Sequence, residues 1–500
     1  MDSSPKRPAV AASSQVRQHR PTGKTGSAVF AWQRLDLLAT VAMALLAGGC
    51  ALQPAPKPED TRAQAMGSTD VTTPWRAGDG NPAVVQDNWL ATFNDAQLDA
   101  LVAEAVQHNP DLRIAATRVE QATEQLRIAE AARRPQISIV GTGGIKMTDM
   151  SSALTGIAGL LTWELDLWGQ LRYQREAAAA GLTAVRADTE FARQSIAATT
   201  AKAWFIAAQT LGEQQLADDM VKSSDHLVRL AGDRYRIGVG SDQDVALAAA
   251  NLNAARDSLV QARYAHQASV RALELMLGRY PATELRARPD LPPLPGPVPT
   301  GLPLQMLERR PDMIAAERRV ALAFNRVGQA KAAELPSIRL TGNVGYIDSD
   351  ILQLKQDYSN PSAGVGAKIV APIYTGGGLD AQVELMNAQQ REAVAQYARQ
   401  ALRAIGDVEE SLATARKLAE REVLLKAISA DQQRALDLVL IAYRVGKQDL
   451  RSVEQQALAL YATNVNLLRV RGEELSQRVT LHLALGGSFG DRIDVSDAGR

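Results

Sequence analysis

Four short segments of the chain alternate apolar and polar positions. In 156–168, Ile157, Leu161, Trp163, Leu165 and Leu167 share one face, and Thr162, Glu164 and Asp166 share the other. In 337–346, Ile338, Leu340, Val344 and Tyr346 alternate with Ser337, Arg339, Thr341 and Asn343. In 364–373, Val365, Ala367, Ile369 and Ile373 keep the same rhythm, while 136–145 is weaker, with Ile137 and Ile139 on one face. A period of two predicts strands with one wet and one apolar side. The polar stretches KMTDMSSALT (146–155) and DSDILQLKQDYSNP (348–361) read as hairpin loops between them.

Much longer stretches carry no such alternation. Segments 170–236 and 379–445 are Ala-rich and free of proline. Each predicts one helix of roughly 100 Å at 1.5 Å per residue. A YR-x-G turn ends each: Tyr235-Arg236-Ile237-Gly238 and Tyr443-Arg444-Val445-Gly446. Glycine there suits a left-handed C-cap. Shorter helices return over 241–278 and 448–485, and others precede the strands over 95–133 and 303–334. Pro135 and Pro336 stop the latter pair, because a residue before proline avoids the helical region. Each short helix is a little over half a long one. One fits beside the strand end of the long helix and one beside its turn end, so each set forms a rod.

The pattern is written twice. At an offset of 201, Pro110, Asp111, Arg118, Ala129, Pro135 and Ile137 meet Pro311, Asp312, Arg319, Ala330, Pro336 and Ile338. At an offset of 208, Tyr235 and Gly238 meet Tyr443 and Gly446, and Leu277-Gly278 meets Leu485-Gly486. The chain is a tandem duplication: 87–287 and 304–487, joined by RPDLPPLPGPVPTGLP at 288–303, whose prolines predict an extended spacer. Residues 488–500 form a tail.

The first 49 residues read as an address. Lys6, Arg7, Arg17, Arg20, Lys24 and Arg34 precede the apolar run in LDLLATVAMALLAGGC. That run is too short to span a bilayer, which needs about 20 apolar residues. A basic flank, a short apolar run and small residues make a secretory signal. LLAGGC resembles a bacterial lipobox, with Ala47 where Leu is more usual. This implies that 1–49 is a lipoprotein signal peptide and that Cys50 becomes the lipidated, palmitate-bearing first residue. Ala51, in place of Asp, favours outer-membrane sorting by the same resemblance. The basic region is long enough that the true start could lie after Met1. Residues 50–86, rich in Pro, Gly and polar side chains, predict an extended tether that buries little.

Four strands of about ten residues have the length that crosses a bilayer when tilted. They cannot close a transmembrane barrel, which starts at eight, and an open edge in lipid leaves backbone groups unsatisfied. Strands in a membrane therefore require several chains to share a barrel: two chains give eight strands, three give twelve. The wet face, with Glu164, Asp166, Arg339, Thr341 and Asn343, would line a lumen. Trp163, Leu165, Leu340 and Tyr346 would meet lipid. The alternative is a soluble sheet capping a coiled-coil rod.

Composition narrows the chemistry. The 55 basic and 55 acidic residues balance, which gives no basic patch for nucleic acid. Five dispersed histidines and one cysteine offer no metal-ligand spacing and no disulfide. No phosphate-binding glycine loop, dinucleotide fingerprint or nucleophile elbow is present. Glu164 and Asp166 share a strand face, but no nucleophile or histidine accompanies them as an acid–base site needs. Arg172 and Arg175 read as solvated. The expectation is a non-enzyme without cofactor or metal.

The duplicated PD helices carry a resemblance, together with LTWELDLWGQLR (161–172), AKIVAPIYTGGGLDAQ (367–382), both YR-x-G turns and the endings LELMLG and LHLALG. With these, the chain resembles the TolC-like outer-membrane efflux proteins, and among them the lipoprotein branch of the OprM and NodT type. The resemblance covers nearly everything after Cys50. It implies a mainly α fold with a membrane β-barrel portion. A homotrimer would build a twelve-stranded barrel, a periplasmic α-helical tunnel and a belt at mid-height. It implies a periplasmic adaptor, an inner-membrane pump of the RND type, and passive conduction of small molecules such as drugs. A protein-secretion duct of type I is the neighbouring reading, and a soluble periplasmic scaffold the rival from another class.

The resemblance also suggests a gate at the turns. Tyr443 and Asp244 match a tyrosine and an acid that bond across the tip in some members. The usual arginine two after the second glycine is Gln448, next to Lys447. The acids of the constriction fall at Ser452 and Gln455, with Glu454 one place off. A gate held by hydrogen bonds and packing, with Arg451 and Glu454 nearby, is the expectation.

Overall fold

A computed structural model describes residues 53–67, 69–78, 83–143, 155–288, 290–348 and 361–490. The signal segment 1–49, Cys50, most of both hairpin loops and most of the tail 488–500 lie outside the described residues.

The elements follow the duplication. Helix α1 (Pro58–Met66) and a 3₁₀ turn (Trp89–Phe93) come first. The first repeat holds α2 (Ala96–His108), α3 (Pro110–Ala131), β1 (Gln136–Thr142), β2 (Thr155–Leu165), α4 (Gln170–Arg236) and α5 (Asp242–Met276). The second holds α6 (Pro303–Arg309), α7 (Pro311–Ala333), β3 (Ser337–Asp348), β4 (Ser362–Val370), α8 (Gly378–Arg444) and α9 (Leu450–Ala484).

The helices expected over 95–133 and 303–334 are each divided. Asn109 and Arg310 are extended, with ψ of 127° and 124°. The proline after each can only begin a new helix, since its ring disfavours helical geometry in the residue before it. Asn109 caps the new start, accepting from the Asp111 N–H at 2.8 Å.

Both long helices are continuous over 67 residues. Small residues let them pack closely. Ala184, Ala187, Ala197, Ala198, Ala201, Ala207, Ala208 and Ala217 are buried along α4. A Cβ on Gly328 of α7 would lie 2.5 Å from the Tyr173 ring on α4, so only glycine fits that approach. At the far ends Gly238 and Gly446 take φ of +80° and +76°, and the following N–H groups return to carbonyls inside the helix.

The helices lie side by side as a wall. Near the strands the order is α3, α4, α7, α8; near the turns it is α5, α4, α9, α8. The sheet order is β1-β2-β3-β4, antiparallel throughout, which leaves β1 and β4 as free edges.

Strands end earlier than the alternation suggested, at Leu165 and Val370. Asp166 is the consequential case. It was expected on the wet strand face but caps α4 instead, accepting from the N–H groups of Leu171 and Arg172 at 3.0 and 2.9 Å and from the Arg172 guanidinium. The orphan N–H groups of a helix start out-compete solvent for a carboxylate placed there.

The described parts of the expected tether and spacer are packed. Met66, Trp75 and Val85 are buried, and the Trp75 indole donates to the Thr300 carbonyl at 3.0 Å. The backbone N–H groups of Arg76 and Ala77 donate to Glu409, and Arg478 donates to the Gly296 carbonyl. The prolines do exclude helix from 290–302, yet Val298 is buried there. A belt thus wraps the helices around two apolar clusters. One gathers Trp89, Phe93, Trp204 and Phe205, and the other Trp75, Met306, Met313, Tyr397 and Leu485.

His482 stacks on Trp89 at 5.9 Å between ring centroids, buried, and burial pulls its imidazole down to about 4. The folded belt therefore binds fewer protons than the unfolded chain between the usual histidine value and about 4. Stability is fully present above about pH 6.5 and falls by about 2–4 kcal/mol as pH drops towards 4. Chemical denaturation followed by tryptophan fluorescence should show that slope, and H482F should remove it.

Candidate functional site

The sheet has two unlike faces. The register sets Ile137 against Leu161, Trp163 against Leu340, Ile157 against Tyr346 and Ile338 against Ile369. Side chains paired in register share a face and alternate along each strand. One face therefore gathers Ile137, Ile139, Ile157, Leu161, Trp163, Leu340, Val344, Tyr346, Val365 and Ile369, all uncharged, with Asp348 following in the same phase at the loop end of β3. Val365 is 95% exposed and Ile137 80%, which marks a surface with nothing packed on it. Trp163 and Tyr346 stand near opposite ends of this face, six positions apart along β3. That is about 20 Å at 3.3 Å per residue.

The other face gathers Ser138, Thr162, Glu164, Arg339, Thr341, Asn343 and Lys368. Glu164 and Arg339 are register partners, and the guanidinium donates to the Glu164 carboxylate at 2.9 Å. Both side chains are part-exposed, so the pair contributes little stability, about 0–1 kcal/mol.

The turn end is asymmetric. Tyr235 is 52% exposed, whereas Tyr443 is 1% exposed. Tyr443 sits with Leu227, Ala231, Ala248, Leu450 and Val453. The expected Asp244–Tyr443 hydrogen bond is not made. Asp244 forms a capping box at the start of α5, its N–H donating to Ser241 Oγ and its carboxylate accepting from the Ser241 N–H. Capping satisfies two orphan groups with a carboxylate already on the helix, so it wins over a reach to another helix. Tyr443 Oη has no hydrogen-bond partner.

Arg234 holds the turns together instead. Its guanidinium lies 4.7 Å from the Tyr443 ring centroid. It donates to the carbonyls of Tyr443 at 2.9 Å, Arg444 at 3.4 Å and Val239 at 3.3 Å. One cation thus bridges the ends of both repeats. The sequence reading missed it. The available signal was an asymmetry between the copies, since Arg234 corresponds to Ala442. Burial pushes the Tyr443 phenol up, with Arg234 acting against this.

The remaining candidates divide by position. Gln448, Arg451 and Gln455 are exposed, and Ser452 donates to Asp449, the N-cap of α9. These four do not converge. Glu454 is 3% exposed, and neither carboxylate oxygen has a hydrogen-bond partner.

Comparison with known proteins places this architecture. The family described as outer membrane efflux protein matches residues 101–279 and 302–487, one match per repeat. The probable efflux pump outer membrane protein TtgC of Pseudomonas putida strain KT2440 is 27% identical over 473 residues, covering 91% of this chain and 96% of its own length. The cation efflux system protein CusC of Escherichia coli O6:H1 is 26% identical over 413 residues, covering 80% and 88%. The solved outer-membrane channel OprN superposes with a TM-score of 0.76 at 25% identity, over 84% of this chain and 97% of that one.

Arg234→Ala removes a charged donor to three carbonyls and a cation on an aromatic ring, together worth about 1–3 kcal/mol. Amide exchange in 440–447 should quicken correspondingly, with R234K intermediate because it keeps the charge without the planar fork.

Proposed function

The chain belongs to the outer membrane efflux protein family, and we propose that three copies close into one gated conduit of a tripartite exporter. It is an outer-membrane component of an efflux system, and its mechanism in this reading is passive conduction. The observation that carries the reading is the sheet, which has one apolar, unpacked face and two free edges.

Such an edge in lipid leaves a row of N–H and C=O groups unsatisfied, each at a cost of several kcal/mol. Edge β4 of one copy pairing with β1 of the next removes the cost. Three copies give twelve strands, with Glu164 and Arg339 turned to the lumen and Trp163 and Tyr346 at the borders of the lipid band.

The helical wall is incomplete in the same sense. Within one chain α4 packs along α7, and Asp188 pairs with Arg319 there. The duplication makes α8 and α3 the equivalent pair, yet they make no extended contact in the chain. A neighbouring copy supplies the missing contact, which is a heterologous interface that closes a ring. The repeat offsets place Gln396 of one copy near Arg118 of the next.

The N-terminal segment supports a lipid anchor. The Gln53 N–H donates to the Tyr173 hydroxyl at 3.0 Å, near the strand end of α4. Cys50 precedes it by three residues in the chain and carries the lipid in this reading.

At the opposite end, the turns form the closing end of the tunnel and face an adaptor and an inner-membrane pump of the RND type. The pump selects the cargo, and the polar strand face fits small molecules. The type I secretion reading requires a different pump, and no feature of the strands favours it.

A chain carrying Arg118→Cys and Gln396→Cys should yield a covalent trimer with a short bis-maleimide. Monomers, or a ladder stopping at dimers, would contradict the ring. The trimer should conduct in planar bilayers; a soluble scaffold would not. In cells, Cys50→Ser should abolish palmitate labelling while leaving the trimer intact, and persistent labelling would rule out this anchor.

A further inference from the structure

The turn end holds one group that neither the wall nor the Arg234 bridge uses. Glu454 lies on the first turns of α9, between Val453 and Ala457, which pack into two apolar clusters. It is 3% exposed, and both carboxylate oxygens lack a hydrogen-bond partner. A buried carboxylate left without donors is held far more easily as the neutral acid than as the anion.

The surroundings offer the anion little. On α4 the cation pointing inward is Arg234, which is committed to three carbonyls and the Tyr443 ring. His226, Arg229, Asp233 and Arg236 on the same helix are exposed. On α5, Asp244 is bound in its capping box, and the Asn251 amide lies close enough to favour the Glu454 anion, an effect that burial outweighs. On α8, Tyr443 presents an unpartnered hydroxyl and Arg444 is exposed. On α9 itself, Asp449 and Arg451 are exposed. No ion pair to Glu454 exists among the described residues. Ser224 Oγ, one helical turn from Leu227 on α4, is buried without a partner as well. The packed turn end therefore holds a buried acid that neither of these buried hydroxyls bonds.

We propose that Glu454 is a proton-controlled lock: it is neutral in the closed turn end, and its ionisation drives α9 away from α4 and α5 to open that end. The lock rests on the reading of this end as the closing end of the tunnel. Burial pushes the Glu454 carboxyl up, in the direction the lock requires. The closed state then binds the proton more tightly than an open state in which Glu454 meets water. Closure is fully favoured at pH below the ordinary glutamate value and weakens as pH rises through the raised one. The equilibrium shifts at most tenfold per pH unit between those two values.

The test uses the full-length protein in planar bilayers from about pH 5 to pH 9, a window that brackets a raised glutamate. Open probability of the wild type should climb about tenfold or more, while Glu454→Gln stays closed and flat, because glutamine keeps the shape without the charge. A pH profile that E454Q reproduces overturns the lock and leaves the channel reading intact. Infrared difference spectra of the same samples give a readout independent of conduction. A protonated carboxylic-acid carbonyl band should disappear at high pH in the wild type and be missing from E454Q. If no conduction is seen at any pH, the channel reading fails, and the band still decides whether Glu454 is a buried acid. If no such band exists at low pH, the lock is overturned.

Discussion

A peptide N–H or C=O group has no alternative partner in a hydrocarbon layer, and this requirement organises the rest of the molecule. The four strands satisfy one another only internally, so β1 and β4 each keep an open row of groups. A single chain is therefore an unfinished object. Its apolar sheet face and free edges, and its unmatched α3 and α8 surfaces, are one deficiency seen in the sheet and again in the helical wall. The ring proposed above would remove all of them with the same operation.

Duplication makes that closure economical. In the proposed ring, contacts between α4 and α7 inside a chain are the pattern for contacts between α8 and α3 across chains. Close approach depends on alanine and glycine along 67-residue helices, where larger side chains would push the axes apart. The aromatic weight gathers where the belt meets these helices: Trp75 and Trp89 from the belt pack into clusters that hold Trp204 of α4 and Tyr397 of α8, fixing the N-terminal segment and the proline-rich connection onto the wall.

The two copies diverge most at the turns. Tyr235 faces solvent and Tyr443 is covered by Arg234, although both sit in the same YR-x-G sequence. Two identical turns would make a symmetric end with nothing to bind one to the other. One arginine against one alanine breaks the symmetry and ties the repeats, while the buried Glu454 puts an electrostatic liability into the same packing.

Periodicity, proline placement and self-similarity determined the strands, the long helices, the turns and the duplication, because these depend on neighbours a few residues apart along the chain. The same reading gave the unlike faces of the sheet, and a shared set of motifs gave the family. Partners distant in sequence were out of reach. Asp166 alternates like a strand residue, yet the start of α4 claims it. Residues 50–86 read as a tether, yet Thr300 and Glu409 tie down Trp75, Arg76 and Ala77 within them. Asp244 and Tyr443 matched a known pair, yet a local cap took the acid and Arg234 took the tyrosine. In each case the deciding group lies on another element or in a competing local bond. Only the folded packing shows which of two available partners a polar side chain meets.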